Sequence, residues 1–351
     1  MAKSIVADKN PRHEPAALVV TVVLLDDGYA STAIGPIEVF HSAGRLWNIL
    51  SGDAEEPRFR VQVASMDGRP VSSVCSVGLA PTMSVDEVGH TDIIILPSSG
   101  LGEQERVARN SPLLALLKKW HAKGAYVAGV CTGVAYLAEC GLLDGRVATT
   151  HWSVVERMQA TYPRVHWRPE QFVTEDGRIL CSGGVYAAID LSLYLVEKLC
   201  GHEVALKTAK SLLVSMPRNR QSGYAVVPLS RPHADGQIRV AEAYLQEHYS
   251  EDVSNKMLAE LVGMGERNFI RRFKAATGHL PRIYGQMLRV TAAKELLERG
   301  ATSVQSIAQA IGYTDLPFFR TLFRRHTGMT PAEYRGHFAD MNFDRGDIAG
   351  D

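Results

Sequence analysis

The chain has 351 residues, 46% of them hydrophobic and 22% charged, with a formal net charge of zero. That length and composition suit two globular domains, each able to fill a core. Five scattered cysteines without a CxxC spacing fit a reducing compartment better than a disulfide framework or a zinc site, and no apolar run approaches the ~18 residues of a membrane span.

Residues 1–16 are polar, have no apolar signal-peptide core, and are expected to be disordered. The reducing cytoplasm is the expected compartment. Residues 18–25 form a continuous apolar, β-branched run, the mark of a strand buried on both faces. A helix is expected over 35–43, a strand over 59–64, and a strand over 92–97 that runs into Ser98-Ser99-Gly100. An amphipathic helix over 110–123 leads to a strand over 126–130, which ends at Cys131-Thr132-Gly133 before a helix over 134–140. Strands alternating with helices imply a flavodoxin-like α/β domain, a parallel sheet with helices on both faces. Residues 173–181, with Asp176-Gly177 at the turn, read as a hairpin, and helices follow over 186–199 and 203–215. The domain spans 17–216.

Ala128-Gly129-Val130-Cys131-Thr132-Gly133 is a strand, a sharp turn and a helix start. A thiol there sits over a helix N-terminus, whose dipole and free N–H groups are expected to lower its pKa. Nearby amides could act as an oxyanion hole. The stretch resembles the nucleophile elbow of the class I glutamine amidotransferase-like superfamily, which includes PfpI-type proteases and isonitrile hydratases. Supporting text is Gly35-Pro36 with Glu38-Val39-Phe40, Leu96-Pro97 with Gly100, Thr149-Thr150-His151-Trp152 and Ser182-Gly183-Gly184. In such enzymes a carboxylate four residues before the Gly-Pro proline faces the thiol; here Thr32 holds that place. Thr132 follows Cys131 where the PfpI-like proteases have His. With the acid partner missing, Cys131 and His151 read as a vestigial pair and catalysis is not expected. The alternative is a cysteine-dependent hydrolase or hydratase fused to a DNA-binding domain. A retained effector pocket is expected around Thr32, Glu38, Ser99, Gly100, Cys131, Thr132, His151 and Trp152, with Glu38 hydrogen-bonded inside. No cofactor or metal is implied.

Residues 217–235, with Pro217, Pro228 and Pro232 among arginines, read as a linker. Residues 236–338 then form an all-α domain. Within it, Leu258-Ala259-Glu260-Leu261-Val262-Gly263 and Ile307-Ala308-Gln309-Ala310-Ile311-Gly312 each precede a second helix ending in Phe273-Lys274 or Phe323-Arg324. Helix, tight glycine turn and second helix is the helix-turn-helix plan, here in tandem. Each second helix has an apolar face, Phe269 with Phe273 and Phe319 with Phe323. The opposite faces carry Arg267, Asn268, Arg271 and Arg272, and Arg320, Thr321, Arg324 and Arg325. Arg and Asn make bidentate contacts with guanine and adenine edges. Residues 265–335 hold 12 Lys and Arg against 5 Asp and Glu, a net of +7, while residues 1–264 hold 25 against 29. That local excess suits a phosphate backbone. A helix over 284–299, about 24 Å long, would set the two motifs one DNA turn apart.

The C-terminal text resembles the DNA-binding domain of AraC/XylS-type regulators, through Arg272-Phe273-Lys274, Thr277-Gly278, Gly312-Tyr313, Phe323-Arg324-Arg325, Thr327-Gly328 and Thr330-Pro331 among others. The resemblance places base readers at Arg267, Ile270 and Arg271, and at Leu316, Arg320 and Thr321. Pro317 stands where Ser is frequent, and Thr321 where Arg is common. The order of the two domains matches GlxA-like regulators. The implied protein is a sequence-specific transcription regulator. Its partners are double-stranded DNA, a small-molecule effector, a second copy in a homodimer and, for an activator, RNA polymerase.

Overall fold

The structure, a computed structural model, describes residues 17–216, 233–299 and 303–338. The stretch 1–16 and the linker up to residue 232 lie outside the described residues. The chain divides into two compact units, residues 1–219 and 220–351.

The first unit is built on the strands β1 (Leu18–Val23), β2 (Phe59–Ser65), β3 (Val71–Ser72), β4 (Gly78–Leu79), β5 (Met83–Ser84), β6 (Ile93–Leu96), β7 (Tyr126–Val130), β8 (Val147–Ala148), β9 (His166–Trp167), β10 (Val173–Asp176) and β11 (Ile179–Ser182). Seven of them form one sheet in the order β10-β11-β7-β6-β1-β2-β5. All its ladders are parallel except the β10–β11 hairpin at the edge, which turns at Gly177 with φ of 66°. Successive side chains leave a strand on opposite faces. Ile93 and Ile95 therefore enter one core with Val20 and Val22, while Ile94 and Leu96 enter the other with Val23. This two-sided burial is why the strands read as unbroken apolar runs.

The helices are α1 (Ser31–Ser42), α2 (Leu46–Ser51), α3 (Glu103–Arg109), α4 (Pro112–Ala122), α5 (Val134–Glu139), α6 (Val155–Thr161), α7 (Ala187–Cys200) and α8 (His202–Ser211). Phe40 of α1, Leu191 of α7 and Ala205 of α8 cover one face of the sheet. Val107 of α3, Leu117 of α4, Leu137 of α5 and Met158 of α6 cover the other. The helices expected over 110–123 and 186–199 thus spend their apolar faces on the sheet.

The second unit holds α9 (Gly236–Glu247), α10 (Asn255–Leu261), α11 (Glu266–Thr277), α12 (Pro281–Glu298), α13 (Val304–Ala310), α14 (Leu316–Thr327) and α15 (Pro331–Phe338). Ser254 caps α10 by accepting from the Met257 N–H, and Ser303 caps α13 by accepting from the Ser306 N–H. Each such cap contributes about 1 kcal/mol. Gly263 and Gly312 make the motif turns at φ of 66° and 84°. The 18-residue α12 carries one core on each half, Tyr284 and Leu288 with Phe269, Val290 and Ala293 with Phe319.

Arg289 of α12 joins the halves. Its Nε donates to the Tyr249 carbonyl at 2.6 Å and its Nη2 to the Glu251 carbonyl at 2.7 Å, while its guanidinium lies 4.9 Å from the Tyr313 ring centre. A Cβ at Gly312 would stand 2.0 Å from the Ser250 carbonyl oxygen, so the loop of one half presses on the turn of the other.

Candidate nucleic-acid interface and strand-end site

The polar faces expected on α11 and α14 are exposed. Arg267, Asn268 and Arg271 are exposed on α11, and Arg320, Thr321 and Arg324 on α14. Asn268 Oδ1 accepts from Arg271 Nη2 at 2.8 Å, which holds that guanidinium along the helix. Among the described residues neither Arg267 nor Arg320 forms an ion pair. Ile270 and Leu316 are half-buried at the edges of their cores.

Arg272 departs from the expectation of a DNA contact. Its guanidinium forms a fork on Asp235, at 2.8 and 3.0 Å from Nη2 and 3.1 Å from Nε, and also donates to Gln237 Oε1 at 2.9 Å. Asp235 is the N-cap of α9, accepting from the Ile238 N–H. Against its partial burial, the Ile238 N–H first and then the Arg272 guanidinium hold Asp235 below the usual carboxylate range. Arg272 therefore ties α11 to α9, and residues 233–235 pack with the second unit.

In the first unit the loops after β1, β6 and β7 meet at the carboxyl edge of the sheet. β1 is the strand where the order reverses, and such a switch point is the usual ligand crevice of an open α/β sheet. Cys131 takes a left-handed backbone, φ 55°, at the mouth of β7. Only a strained turn of this kind lifts a side chain over the strand end. Gly133 fits beneath, since a Cβ there would lie 2.3 Å from the Pro97 carbonyl oxygen. Gly100, at φ 78°, leaves no room for a Cβ beside the Asp27 carbonyl.

Hydroxyls link these loops. Thr32 Oγ1 donates to the Tyr29 carbonyl at 2.6 Å and accepts from the Ser98 N–H at 3.2 Å. Thr132 Oγ1 lies 2.9 Å from Ser98 Oγ and accepts from the Ser99 N–H at 3.1 Å. Thr150 Oγ1 donates to the Cys131 carbonyl at 2.8 Å. Thr32, Ser99, Gly100, Cys131 and Thr132 are thus brought together. Ser98 and Thr150 join them; both stand in the quoted text, but nothing in their spacing marks them. An ion pair between Asp27 and Arg106 fastens the loops further out.

Two expectations about this site are overturned. The Cys131 thiol is not acidified: burial pushes it up to about 11, against weaker help from the Thr132 N–H and the Ser98 hydroxyl. At pH 7 a group with that pKa is thiolate in on the order of one molecule in 10⁴. Glu38 is exposed on α1, not hydrogen-bonded inside. It lies six residues after Thr32, about 240° round the helix and off the buried face of Thr32, Gly35 and Val39.

His151 is half-buried, and that burial lowers its pKa. Its Nδ1 meets Ser153 Oγ at 2.7 Å and accepts from the Ser153 N–H at 3.2 Å, while its ring lies 5.2 Å from that of Trp152. Among the described residues no hydrogen bond joins His151 to Cys131. A neutral thiol that is not hydrogen-bonded to a base is a poor nucleophile.

The DJ-1/PfpI family model matches residues 20–198, over half of the 351-residue chain. The chain belongs to the DJ-1/PfpI family. To this DJ-1/PfpI unit is joined a helix-turn-helix domain, matched over residues 258–337. The chain is similar to the HTH-type transcriptional regulator GbdR of Pseudomonas aeruginosa, 28% identical over 293 residues, 83% of this chain and 78% of that protein. It is similar also to the HTH-type transcriptional regulator GlxA of Rhizobium meliloti, 28% identical over 298 residues, 83% of this chain and 88% of that protein. An isonitrile hydratase of Pseudomonas putida is 31% identical over 154 residues, 43% of this chain and 64% of that protein. The likeness to that enzyme thus spans less than half of the chain. Among the described residues of this DJ-1/PfpI member, no helix is long and apolar enough to cross a membrane.

Proposed function

We propose that the chain is a cytoplasmic, sequence-specific DNA-binding transcription regulator and not an enzyme. The carrying observation is the pair of repeated helix-turn-helix motifs, bolted by Arg289 into one unit, with Arg267, Asn268, Arg271, Arg320 and Arg324 exposed on the reading helices. The likeness to named transcriptional regulators over 83% of the chain supports it. On this reading the DJ-1/PfpI unit, residues 17–216, binds a small effector at Thr32, Ser99, Gly100, Cys131, Thr132, His151 and Trp152, forms a homodimer, or does both. Residues 217–232 tether it to the DNA-binding unit. RNA polymerase is a partner if the protein activates. A hydrolase reading is opposed by the buried, protonated thiol of Cys131 and the Ser153-bound His151.

Selection of sites from random duplex DNA with the full chain tests the reading. Footprints on selected sites should show two protected major grooves about 10 base pairs apart per protomer. Arg267→Ala and Arg271→Ala should each lose about 1–3 kcal/mol at the selected site and much less on unrelated DNA. A homodimer should prefer two half-sites over one. Failure to enrich any sequence would overturn the proposal, and turnover of a small amide or isonitrile that Cys131→Ser abolishes would favour the enzyme.

A further inference from the structure

The two reading helices are copies in register, yet they present different chemistry. Both have 12 residues. Phe269, Phe273 and Thr277 of α11 correspond to Phe319, Phe323 and Thr327 of α14, all at most 1% exposed. Thr277 donates to the Phe273 carbonyl and accepts from the His279 N–H; Thr327 repeats both bonds with Phe323 and Met329. Gly278 and Gly328 end the helices at φ of 83° and 80°. This register leaves no freedom in pairing the outward positions. Arg267 matches Pro317, Asn268 matches Phe318, and Arg271 matches Thr321.

On α11 these three positions carry a guanidinium, an amide and a second guanidinium. On α14 they carry none of these. Pro317 has no N–H. Thr321 turns its hydroxyl back to the Pro317 carbonyl at 3.0 Å, which leaves its methyl as the free group. Phe318 is 45% exposed although the next residue, Phe319, is fully buried. Its ring is backed by that of Tyr313, at 5.7 Å and 54°, and its N–H is taken by Asp315 at 2.9 Å. The outward strip is apolar. Arg320 and Arg324 flank it; Arg320 takes the place that half-buried Ile270 holds on α11, and both arginines suit phosphates.

In the major groove one base-edge feature of ordinary DNA answers an apolar surface, the C5-methyl of thymine. We propose that the second motif reads thymine methyl groups through Phe318 and the Thr321 methyl, while the first motif reads purine edges through Arg267, Asn268 and Arg271. The inference rests on the DNA-binding reading above and names the bases each half recognises. The operator would then be chemically lopsided, purine-specified under one motif and thymine-rich under the other, although the protein halves are repeats.

Uracil replaces thymine in pairing but lacks the methyl, so it isolates the contact. With the full chain and a site selected from random duplex DNA, single uracils are placed at each thymine in turn. Relaxed base preference in Arg267→Ala marks the groove of the first motif. Uracil in the other groove should weaken wild-type binding about fourfold per methyl group lost, and under about twofold in the first groove. In Phe318→Ala the uracil penalty at its position should vanish, and Phe318→Asn should shift that position towards adenine. Both changes are at an exposed side chain, and circular dichroism confirms folding. A sequence-selective complex indifferent to uracil throughout would overturn the methyl reading alone. Absence of any selective complex would overturn the DNA-binding reading and this inference with it.

Discussion

Gly263 and Gly312 occupy the same place in the two motifs and the same left-handed backbone, φ 66° and 84°, yet only one of them is crowded. A Cβ at Gly263 would meet nothing within 4 Å, whereas one at Gly312 would stand 2.0 Å from the Ser250 carbonyl oxygen and 2.8 Å from its carbon. Gly263→Ala should therefore cost only the left-handed penalty, about 1–2 kcal/mol. Gly312→Ala adds the displacement of the 249–251 loop, about 1–3 kcal/mol by analogy with overpacking. Moving that loop also strains the two Arg289 bonds to its carbonyls, each worth about 1.5–3 kcal/mol as bonds from a charged donor. The difference between the two alanines should reach at least ~2 kcal/mol, or roughly 10 °C in Tm for a domain of this size. Helical circular dichroism on the full chain reports the helices of both units, so the part of the melt that fluorescence does not share follows the second. All four tryptophans precede residue 168, so their fluorescence follows the first unit and serves as the internal reference. Equal losses for the two variants would refute the interlock, and with it the idea that both motifs move as one piece.

Arg272→Ala should lower Tm, because it leaves Asp235 without its fork, but should scarcely alter affinity for selected DNA at a temperature where the protein is folded; a loss matching that of Arg267→Ala would restore Arg272 to the reading face. Cys131 should resist iodoacetamide at pH 7 and label only as pH nears about 11, while exposed Cys75 labels first, as followed by peptide mass spectrometry; equal rates at pH 7 would refute the buried thiol. Burial pushes Lys294 down to about 8 from its ordinary 10.5, with Glu298 opposing. The unfolded chain then binds the extra proton between these values, so stability should rise as pH climbs from about 8 towards 10.5. Lys294→Met should flatten that rise in denaturation curves taken across the window, and an unchanged slope would count against the shift.

What the sequence revealed follows from the range of the interactions involved. β7 was legible to the residue because its uncharged run, Tyr126 to Val130, is set off by Lys123-Gly124 before it and Cys131-Thr132-Gly133 after it. β3, β4, β5, β8 and β9 span two residues each, too short for any period to show. Helix α1 starts at Ser31, ahead of the expected residue 35, because Gly35-Pro36 looks like a helix start but sits inside the element. The tandem motifs were legible because each carries its own turn glycine and apolar face. Arg271 and Arg272 were not separable by pattern, since both fall outside the Phe269–Phe273 face. The deciding partner, Asp235, lies 37 residues away. Cys131 was misjudged for the same reason: the local turn argues for an acidic thiol, and its burial comes with loops from β1 and β6. Glu38 was within reach, because the phase set by Val39 and Phe40 already turns it outward.

The geometry at the strand end bears on how an effector could act at all. A ligand shifts DNA binding only by its different affinity for two arrangements of the protein. A tenfold change in occupancy requires about 1.4 kcal/mol of such difference. The loops over Cys131 are joined by a few hydroxyl bonds, Thr32 to the Ser98 N–H and Thr132 to Ser98 and the Ser99 N–H. Each contributes about 0.5–1.5 kcal/mol. Exchanging one or two of them for bonds to a ligand is therefore enough to bias the loops, without a charged anchor and without chemistry at the thiol. If two DNA-binding units are tethered in a dimer, avidity for paired half-sites amplifies that bias, since effective concentration can alter affinity by about 10²–10⁴. A strand-end site made of threonines and serines, with its cysteine held neutral, is suited to this kind of reversible exchange and not to covalent turnover.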